Sequence, residues 1–213
     1  MAKLRFVRAI DDARPYGTHR YDVYGPKVHR RLTLFGHRAL NAWLQLEFNP
    51  DVVAYCERPL FVSAFTPARP VDFWVKTTDG EHLLFCLRAS ESRSNAKQPD
   101  RSAILEAWAK KSGFPVRIAE PDGPVATDVL RRNQATILQH VAAGHTFVTD
   151  TMKRRALDEF ETGASLLELE HRLSPVESVL ARTVAFTLLH DGCLNCPTLA
   201  REEIGPHTRL VRG

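Results

Sequence analysis

The chain has 213 residues, 44% hydrophobic and 25% charged, which is enough apolar material for a buried core and excludes wholesale disorder. The net charge of +4 is unevenly spread, because residues 1–40 carry nine Lys/Arg and three Asp, a net +6, and the rest carries −2. A basic segment on a near-neutral body is typical of proteins with an anionic partner, nucleic acid above all. An ordinary solubilising tail has the same composition, so charge alone leaves both interpretations open.

The chain shows no apolar signal-peptide core, and no stretch approaches ~18 apolar residues, so we expect a soluble, cytoplasmic protein without membrane contact. Cys56 and Cys86 lie inside apolar runs, which predicts buried core residues. Cys193-x-x-Cys196 is a single pair. A four-ligand zinc site there would need an unusual spacing, and we expect no zinc.

The first segment is rich in basic residues, Tyr and His, and is broken by Pro15, Gly17, Gly25 and Pro26. It is predicted to be an extended arm over residues 1–33, ordered only by a partner or by the body of the protein.

A helix is predicted over residues 34–48, where apolar residues recur at three- and four-residue spacing until Asn49-Pro50. Residues 52–55 and 60–64 are rich in β-forming residues and are separated by a turn-prone Glu-Arg-Pro, which predicts two short strands.

The strongest local signal is a hairpin, in which strands over residues 70–76 and 82–89 flank the turn Thr78-Asp79-Gly80. After a polar loop, a helix is predicted over 100–112 and a strand over 114–119. An antiparallel meander followed by a crossover helix and a further strand predicts a mixed sheet flanked by helices.

The remainder is predicted to be mostly helical. Helices over 125–143, 165–173 and 174–190 precede a loosely alternating segment, 193–211, that resembles a small β-wing. Two helices at a short turn followed by a hairpin outline a helix-turn-helix or winged-helix domain. We place the boundary near residues 145–160. The predicted parts are a basic arm (1–33), a core domain (34–147) and a helical, winged-helix-like C-terminal domain (148–213).

Two stretches of the core domain, Trp43–Pro59 and Pro70–Val75, resemble the TnsA family of transposition endonucleases. In that family a helix ends in Phe-Asp-Pro, a strand closes on Gln-Pro, and a Pro-Asp-Phe strand follows. The closing segment from Leu194 to Val211 is also similar to that family's final hairpin, so the resemblance spans most of residues 29–213. It implies a restriction-endonuclease-like αβββαβ fold of the PD-(D/E)xK type.

The chemistry of such nucleases explains which residues they need. Hydrolysis of a phosphodiester requires hard oxygen ligands for Mg²⁺, which activates the attacking water and offsets the developing charge. A lysine beside the metal orients the water or stabilises the transition state. The family places a Glu on the first helix, an Asp at the start of the second core strand, and an acid-x-Lys pair on the third.

Only one of these groups is present when the family pattern is laid onto this chain. The Asp is Asp72, the helix Glu falls at Ala39, and the acid-x-Lys pair falls at Cys86 and Arg88. Arginine keeps the positive charge but not the ammonium geometry, and a thiol has little affinity for Mg²⁺. We therefore expect a vestigial site without metal or other cofactor, in which Asp72 is equally well explained as a structural carboxylate.

A shifted alignment would leave an active site possible. The acids that would then supply the metal ligand are Glu47, Glu57, Glu81 or Glu91. The amine would be Lys76 or Lys97, and Mg²⁺ would again be the cofactor.

Basic residues just before and within the first helix are the best candidates for contacts with DNA phosphates, namely Lys27, His29, Arg30, Arg31 and Arg38. Further basic groups, each also explained as a solvated face, are Lys110, Lys111, Arg131, Arg132, Lys153, Arg154 and Arg155.

The resemblance implies a DNA-binding subunit of a heteromeric transposition machinery that handles transposon ends with a transposase and an ATPase regulator. The missing acids make an inactive, architectural or regulatory subunit the first hypothesis. An active Mg²⁺-dependent endonuclease with rearranged ligands, which cuts the 5′ ends of the transposon, is the alternative. A regulator that binds DNA only through the winged-helix-like domain is the third.

Overall fold

The computed structural model describes residues 4–87, 101–119, 126–160, 163–173 and 175–213. The chain forms two compact units, Met1–Val125 and Ala126–Gly213. No helix in the described ranges is both long enough and apolar enough to cross a bilayer.

The elements of the first unit are, in chain order, β1 (Arg20–Gly25), a 3-10 turn (Pro26–Val28), β2 (Arg30–Phe35), α1 (His37–Phe48), β3 (Val52–Glu57), β4 (Phe61–Val62), β5 (Arg69–Pro70), β6 (Phe73–Thr77), β7 (Glu81–Cys86), α2 (Arg101–Ser112) and β8 (Val116–Ala119).

A four-stranded mixed sheet in the order β3-β6-β7-β8 forms the centre of this unit. Strands β3, β6 and β7 are antiparallel neighbours, and β8 runs parallel to β7. The predicted hairpin is confirmed, since the Thr77 amide donates to the Gly80 carbonyl at 2.7 Å and closes the β6–β7 turn. The expected mixed α/β sheet flanked by helices is confirmed as well.

An apolar core packs on this sheet. Residues two apart on each strand point to the same face, so the apolar residues of neighbouring strands meet there. Its centre contains Trp74 of β6, Phe85 of β7 and Leu105 of α2, none more than 1% exposed. Cys56 and Cys86 are buried free thiols, as the apolar runs around them predict.

The predicted extended arm instead contains a hairpin. Strands β1 and β2 pair antiparallel from Arg20 opposite Phe35 to Gly25 opposite Arg30, so the first helix begins at residue 37 rather than 34. We interpreted Gly25 and Pro26 as breaks, whereas they form the turn between the strands. The alternation of buried Leu32 and Leu34 with more exposed neighbours was the available signal.

The elements of the second unit are α3 (Asp128–Gly144), α4 (Asp150–Glu159), β9 (Ala164–Ser165), α5 (Leu166–Arg172), α6 (Pro175–His190), β10 (Leu194–Asn195) and β11 (Arg209–Arg212). The three strands form an antiparallel sheet in the order β10-β11-β9. Helix α5 begins at the expected serine, since Ser165 and Glu168 form a reciprocal capping box. Helix α4 lies in the segment that we assigned to the domain boundary.

The unit boundary therefore differs from the expected one at 147/148, because α3 is part of the second unit. Its Asn133 amide donates to the Leu199 and Glu202 carbonyls at 2.8 and 2.7 Å, and its carbonyl accepts from Ile204 N at 3.0 Å. Helix α3 also packs on α6, where the rings of His140 and Phe186 meet edge to face. These contacts tie α3 to residues between 186 and 204 of the second unit.

Candidate functional site

A cavity of about 370 Å³ opens in the first unit beside the first turn of α1. Three residues that the sequence analysis singled out, Ala39, Asp72 and Cys86, all line it. Ala39 comes from α1, Asp72 precedes β6, and Cys86 ends the neighbouring strand β7. The pairing of β6 with β7 brings the last two together.

Asp72 is held by its neighbours on the cavity wall. Its Oδ2 accepts from the Cys86 amide at 2.8 Å and from Arg69 Nη2 at 3.2 Å. The same Arg69 nitrogen donates to the Cys86 carbonyl at 3.2 Å, which ties the side chain of Arg69 to both groups. The carboxylate is thus balanced by an arginine three residues earlier in the chain.

A second carboxylate, Glu57 at the end of β3, also lines the cavity. Only 5% of its side chain is exposed, and it is paired with Arg30 through both guanidinium amino groups. The hydrogen bond to Glu57 raises the pKa of Arg30. A buried carboxylate needs such a partner, because desolvation of an unpaired charge costs several kcal/mol.

Two further arginines contribute positive charge. Arg58 has φ 41° and donates to the backbone carbonyls of Asp11 and Thr33 at 2.6 and 2.7 Å. Its ionic partner in the described chain, Asp12, is 86% exposed and therefore screened by water. Arg38 lies in the first turn of α1, and its buried Nη1 has no hydrogen-bond partner among the residues that the structure describes.

These groups do not fit Mg²⁺. Both lining carboxylates are engaged by arginines, and the described part of the chain contains no group of three or more His, Cys, Asp or Glu side chains placed to hold a metal. Burial, and secondarily the charge of Asp72, raises the pKa of the Cys86 thiol, so it remains protonated and is a poor ligand. Both carboxylates of the described site are thus charge-compensated by arginines.

Comparisons with known proteins supply no family for this chain. No family model matches it, and no curated protein matches it either. Its function therefore has to be argued from the geometry of the site.

The predicted DNA-contacting residues occupy different environments. Lys27 caps the end of α1, where its Nζ donates to the carbonyls of Leu46, at 3.0 Å, and Asn49. Burial lowers the pKa of this lysine. His29 and Arg31 are exposed on the β1–β2 hairpin, whereas Arg88 lies outside the described residues.

Among the alternative acids that the structure describes, Glu57 lines the cavity with Asp72, and Glu47 and Glu81 lie elsewhere. Glu47 is fully buried, where it accepts from the Tyr55 hydroxyl, and Trp43 Nε1 donates to the same hydroxyl at 2.7 Å. Glu81 accepts from Trp74 Nε1 and lines a separate pocket with Lys76. Glu91 and Lys97 lie outside the described residues.

The sequence interpretation did not identify Arg58 and Arg69 as parts of the site. The sequence contains a weak signal for Arg69, since it precedes Asp72 by three residues and is followed by Pro70, which favours an extended conformation at residue 69. Arg58 carries none, because its left-handed backbone conformation and its carbonyl partners are set by tertiary structure.

Proposed function

We propose that this protein is a DNA-binding, catalytically inactive subunit of the TnsA type, with an architectural or regulatory role in transposition beside a transposase and an ATPase regulator. The observation that carries the proposal is the meeting of Ala39, Asp72 and Cys86 in one cavity. The αβββαβ order of α1, β3, β6, β7, α2 and β8, with its antiparallel and parallel pairings, supports a restriction-endonuclease-like fold.

Loss of catalysis follows from the side chains that occupy the cavity. With Ala39 and Cys86 in place of acids, Asp72 is the only family carboxylate, and Arg69 already neutralises it. A hydroxide nucleophile cannot be generated without a metal or a general base beside the phosphate. Such a subunit would position DNA without cutting it.

The second unit supports a winged-helix-like lobe. The order α4-β9-α5-α6-β10-β11, with β11 between β9 and β10, is the element order of a winged helix. From Ala181 to Leu189, however, helix α6 is buried apart from Arg182, which is partly exposed. That part of the helix is unavailable to a DNA groove. We place the proposed DNA contacts on the first unit because the exposed hairpin residues His29 and Arg31 lie there.

Exposed basic groups on the hairpin are the proposed phosphate contacts, because a charge already paired inside the protein gains little by meeting a phosphate. His29 and Arg31 are exposed, whereas Lys27 and Arg30 are committed to internal partners. Arg31→Gln should weaken binding to duplex DNA about twofold to fivefold and lower its salt dependence. Arg14→Gln, at another exposed site, is the matched control.

The decisive assay places the full-length protein, with its transposase, on DNA carrying transposon ends in the presence of Mg²⁺ or Mn²⁺. We expect the protein to bind the DNA and to make no metal-dependent nick at the 5′ strand. Without that cut, transposition products should retain one joined strand and appear as cointegrates in long-read sequencing. Clean simple insertions would count against an inactive subunit.

An active endonuclease remains the second candidate, since Glu57 and Asp72 line the same cavity. This hypothesis requires both carboxylates to exchange their arginine partners for Mg²⁺. Metal-dependent nicking that is lost in both Asp72→Asn and Glu57→Gln would establish it and defeat the inactive assignment.

A further inference from the structure

We propose that the cavity binds a phosphate group of DNA directly on its arginines, with no metal ion between protein and phosphate. This inference deepens the proposed function and rests on it, because the phosphate is taken to belong to the bound DNA. It concerns the cavity lined by Arg38, Arg58 and Arg69, beside Asp72 and Glu57.

The charge of the lining favours an anion. Three arginines face two carboxylates, and Glu57 is already paired with a fourth arginine, Arg30, from outside the lining. Asp72 is likewise paired with Arg69. The positive charge that these pairs leave over belongs to Arg38 and Arg58, and nothing buried among the described residues neutralises it.

Arg38 provides the most direct evidence for a ligand. Its Nη1 is buried and has no hydrogen-bond partner within the described ranges, although an unsatisfied charged donor is among the costliest groups to bury. Arg38 itself lines the cavity and is only partly buried, so a ligand oxygen that enters beside its guanidinium can take up this donor after a rotation of the side chain. Guanidinium groups match the oxygens of a phosphate in both geometry and charge.

The backbone adds to this preference. Gly36, His37, Arg38 and Ala39 line the cavity, and they are the N-cap and the first residues of the twelve-residue helix α1. Gly36 has no side chain to cap the free amides, and the first turn contains no acidic residue. The positive end of the helix dipole therefore reinforces the arginines.

In this arrangement, a position at which nucleases of this fold cleave DNA would instead bind a DNA phosphate without cleaving it. Cys86, protonated and 7% exposed, neither repels the phosphate nor attacks it. The site would fix the DNA backbone at one point, independently of base sequence.

The first experiment titrates the full-length protein with inorganic phosphate in EDTA and follows binding by calorimetry. We expect saturable binding that Arg38→Gln weakens about tenfold or more, as the loss of one charge-assisted hydrogen bond implies. Arg117→Gln removes the same charge from an exposed position on β8 outside the cavity and should leave the affinity within about twofold. Equal affinities for the wild type and Arg38→Gln, or no binding, would overturn the proposal.

A second variant, Ala39→Glu, guards against misfolding of Arg38→Gln. It leaves the arginines intact but adds a carboxylate to the lining, and should abolish phosphate binding while thermal unfolding shows a folded protein. Retained phosphate affinity in folded Ala39→Glu would place the ligand elsewhere and refute the assignment.

The second experiment identifies the source of the phosphate. Matched duplexes with a 5′-phosphate or a 5′-hydroxyl are compared, again in EDTA. Tighter binding of the phosphorylated end assigns the cavity to a terminal phosphate, whereas equal affinities that both fall in Arg38→Gln assign it to an internal phosphodiester.

The two proposals can fail separately. DNA binding that is indifferent to Arg38→Gln refutes the cavity and keeps the DNA-binding function. Phosphate binding without any DNA binding refutes the function and keeps the cavity.

Discussion

The two ends of helix α1 lie beside carboxylates in very different environments. At the carboxyl end, Glu47 is fully buried among Tyr55, Trp43 and the backbone of Lys27, in a closed network. At the amino end, Asp72 lies on the wall of an open cavity among arginines. We infer that the buried acid stabilises the fold, and we propose that the arginine-rich end binds a ligand. The presence of Glu47 on α1, where the family pattern expects a helix Glu, is therefore not evidence of a nuclease site. Its position along the helix places it in the closed network and away from the cavity.

The largest effect on stability should come from the closed end. Glu47→Ala leaves the Tyr55 hydroxyl without its acceptor and opens a void, so we expect a loss of about 3 kcal/mol in the free energy of unfolding. Gln45→Ala, at an exposed position of the same helix, should change it by less than about 0.5 kcal/mol. Urea unfolding measures both, and similar values for the two variants would mean that the network is not structural.

Removal of an ion pair beside the cavity should lower the free energy of unfolding by a smaller amount. Arg30→Met strips the buried Glu57 of its partner and should cost about 2 kcal/mol, less than for a fully buried pair because 24% of the arginine side chain is exposed. Its neighbour Arg31 is exposed, so Arg31→Met should be nearly neutral. If unfolding experiments find equal losses for the adjacent variants, the Arg30–Glu57 pair does not stabilise this wall.

Removal of the helix cap formed by Lys27 should lower the free energy of unfolding by less than either of these substitutions. Lys27→Met keeps the aliphatic stem but removes the donor to the carbonyls of Leu46 and Asn49, and we expect a loss of about 1 kcal/mol. Lys111→Met, at the exposed end of α2, is the matched control. An unchanged midpoint of denaturation in Lys27→Met would show that water replaces the lysine without cost.

A pH dependence of the free energy of unfolding is expected from His82 on β7, which is 7% exposed. Burial, and then the charge of Arg117, lowers its pKa from 6.5 to about 4. The unfolded chain therefore takes up a proton below about pH 6.5 while the folded chain does not, so stability falls as the pH drops from 6.5 to 4. His82→Gln should flatten this part of the stability profile, and an unchanged slope would contradict the assignment.

Local patterns account for what could be predicted from the sequence. The Asp79-Gly80 turn identified the β6–β7 hairpin, and apolar spacing identified α1 and α2 because their buried faces repeat regularly. The hairpin of β1 and β2 was missed, because turn residues and breaking residues are the same residue types. Helix α4 was missed since it buries little of its surface.

The site was predictable only in part, for a different reason. Asp72, Ala39 and Cys86 could be located through their place in the strand order. The arginines that line the cavity come from the first turn of α1, from the residue after β3 and from β5. Their convergence depends on tertiary contacts such as that of Arg58 with the Asp11 carbonyl. Residue types alone do not determine which charges meet.

The most direct test of the central claim is a crystal of the protein grown with both Mn²⁺ and phosphate, with anomalous diffraction measured at the manganese edge. The account predicts a phosphate within hydrogen-bond distance of the Arg38 guanidinium and no manganese peak beside Asp72. A manganese ion coordinated by Asp72 and Glu57 would contradict it and assign the cavity to metal-dependent catalysis.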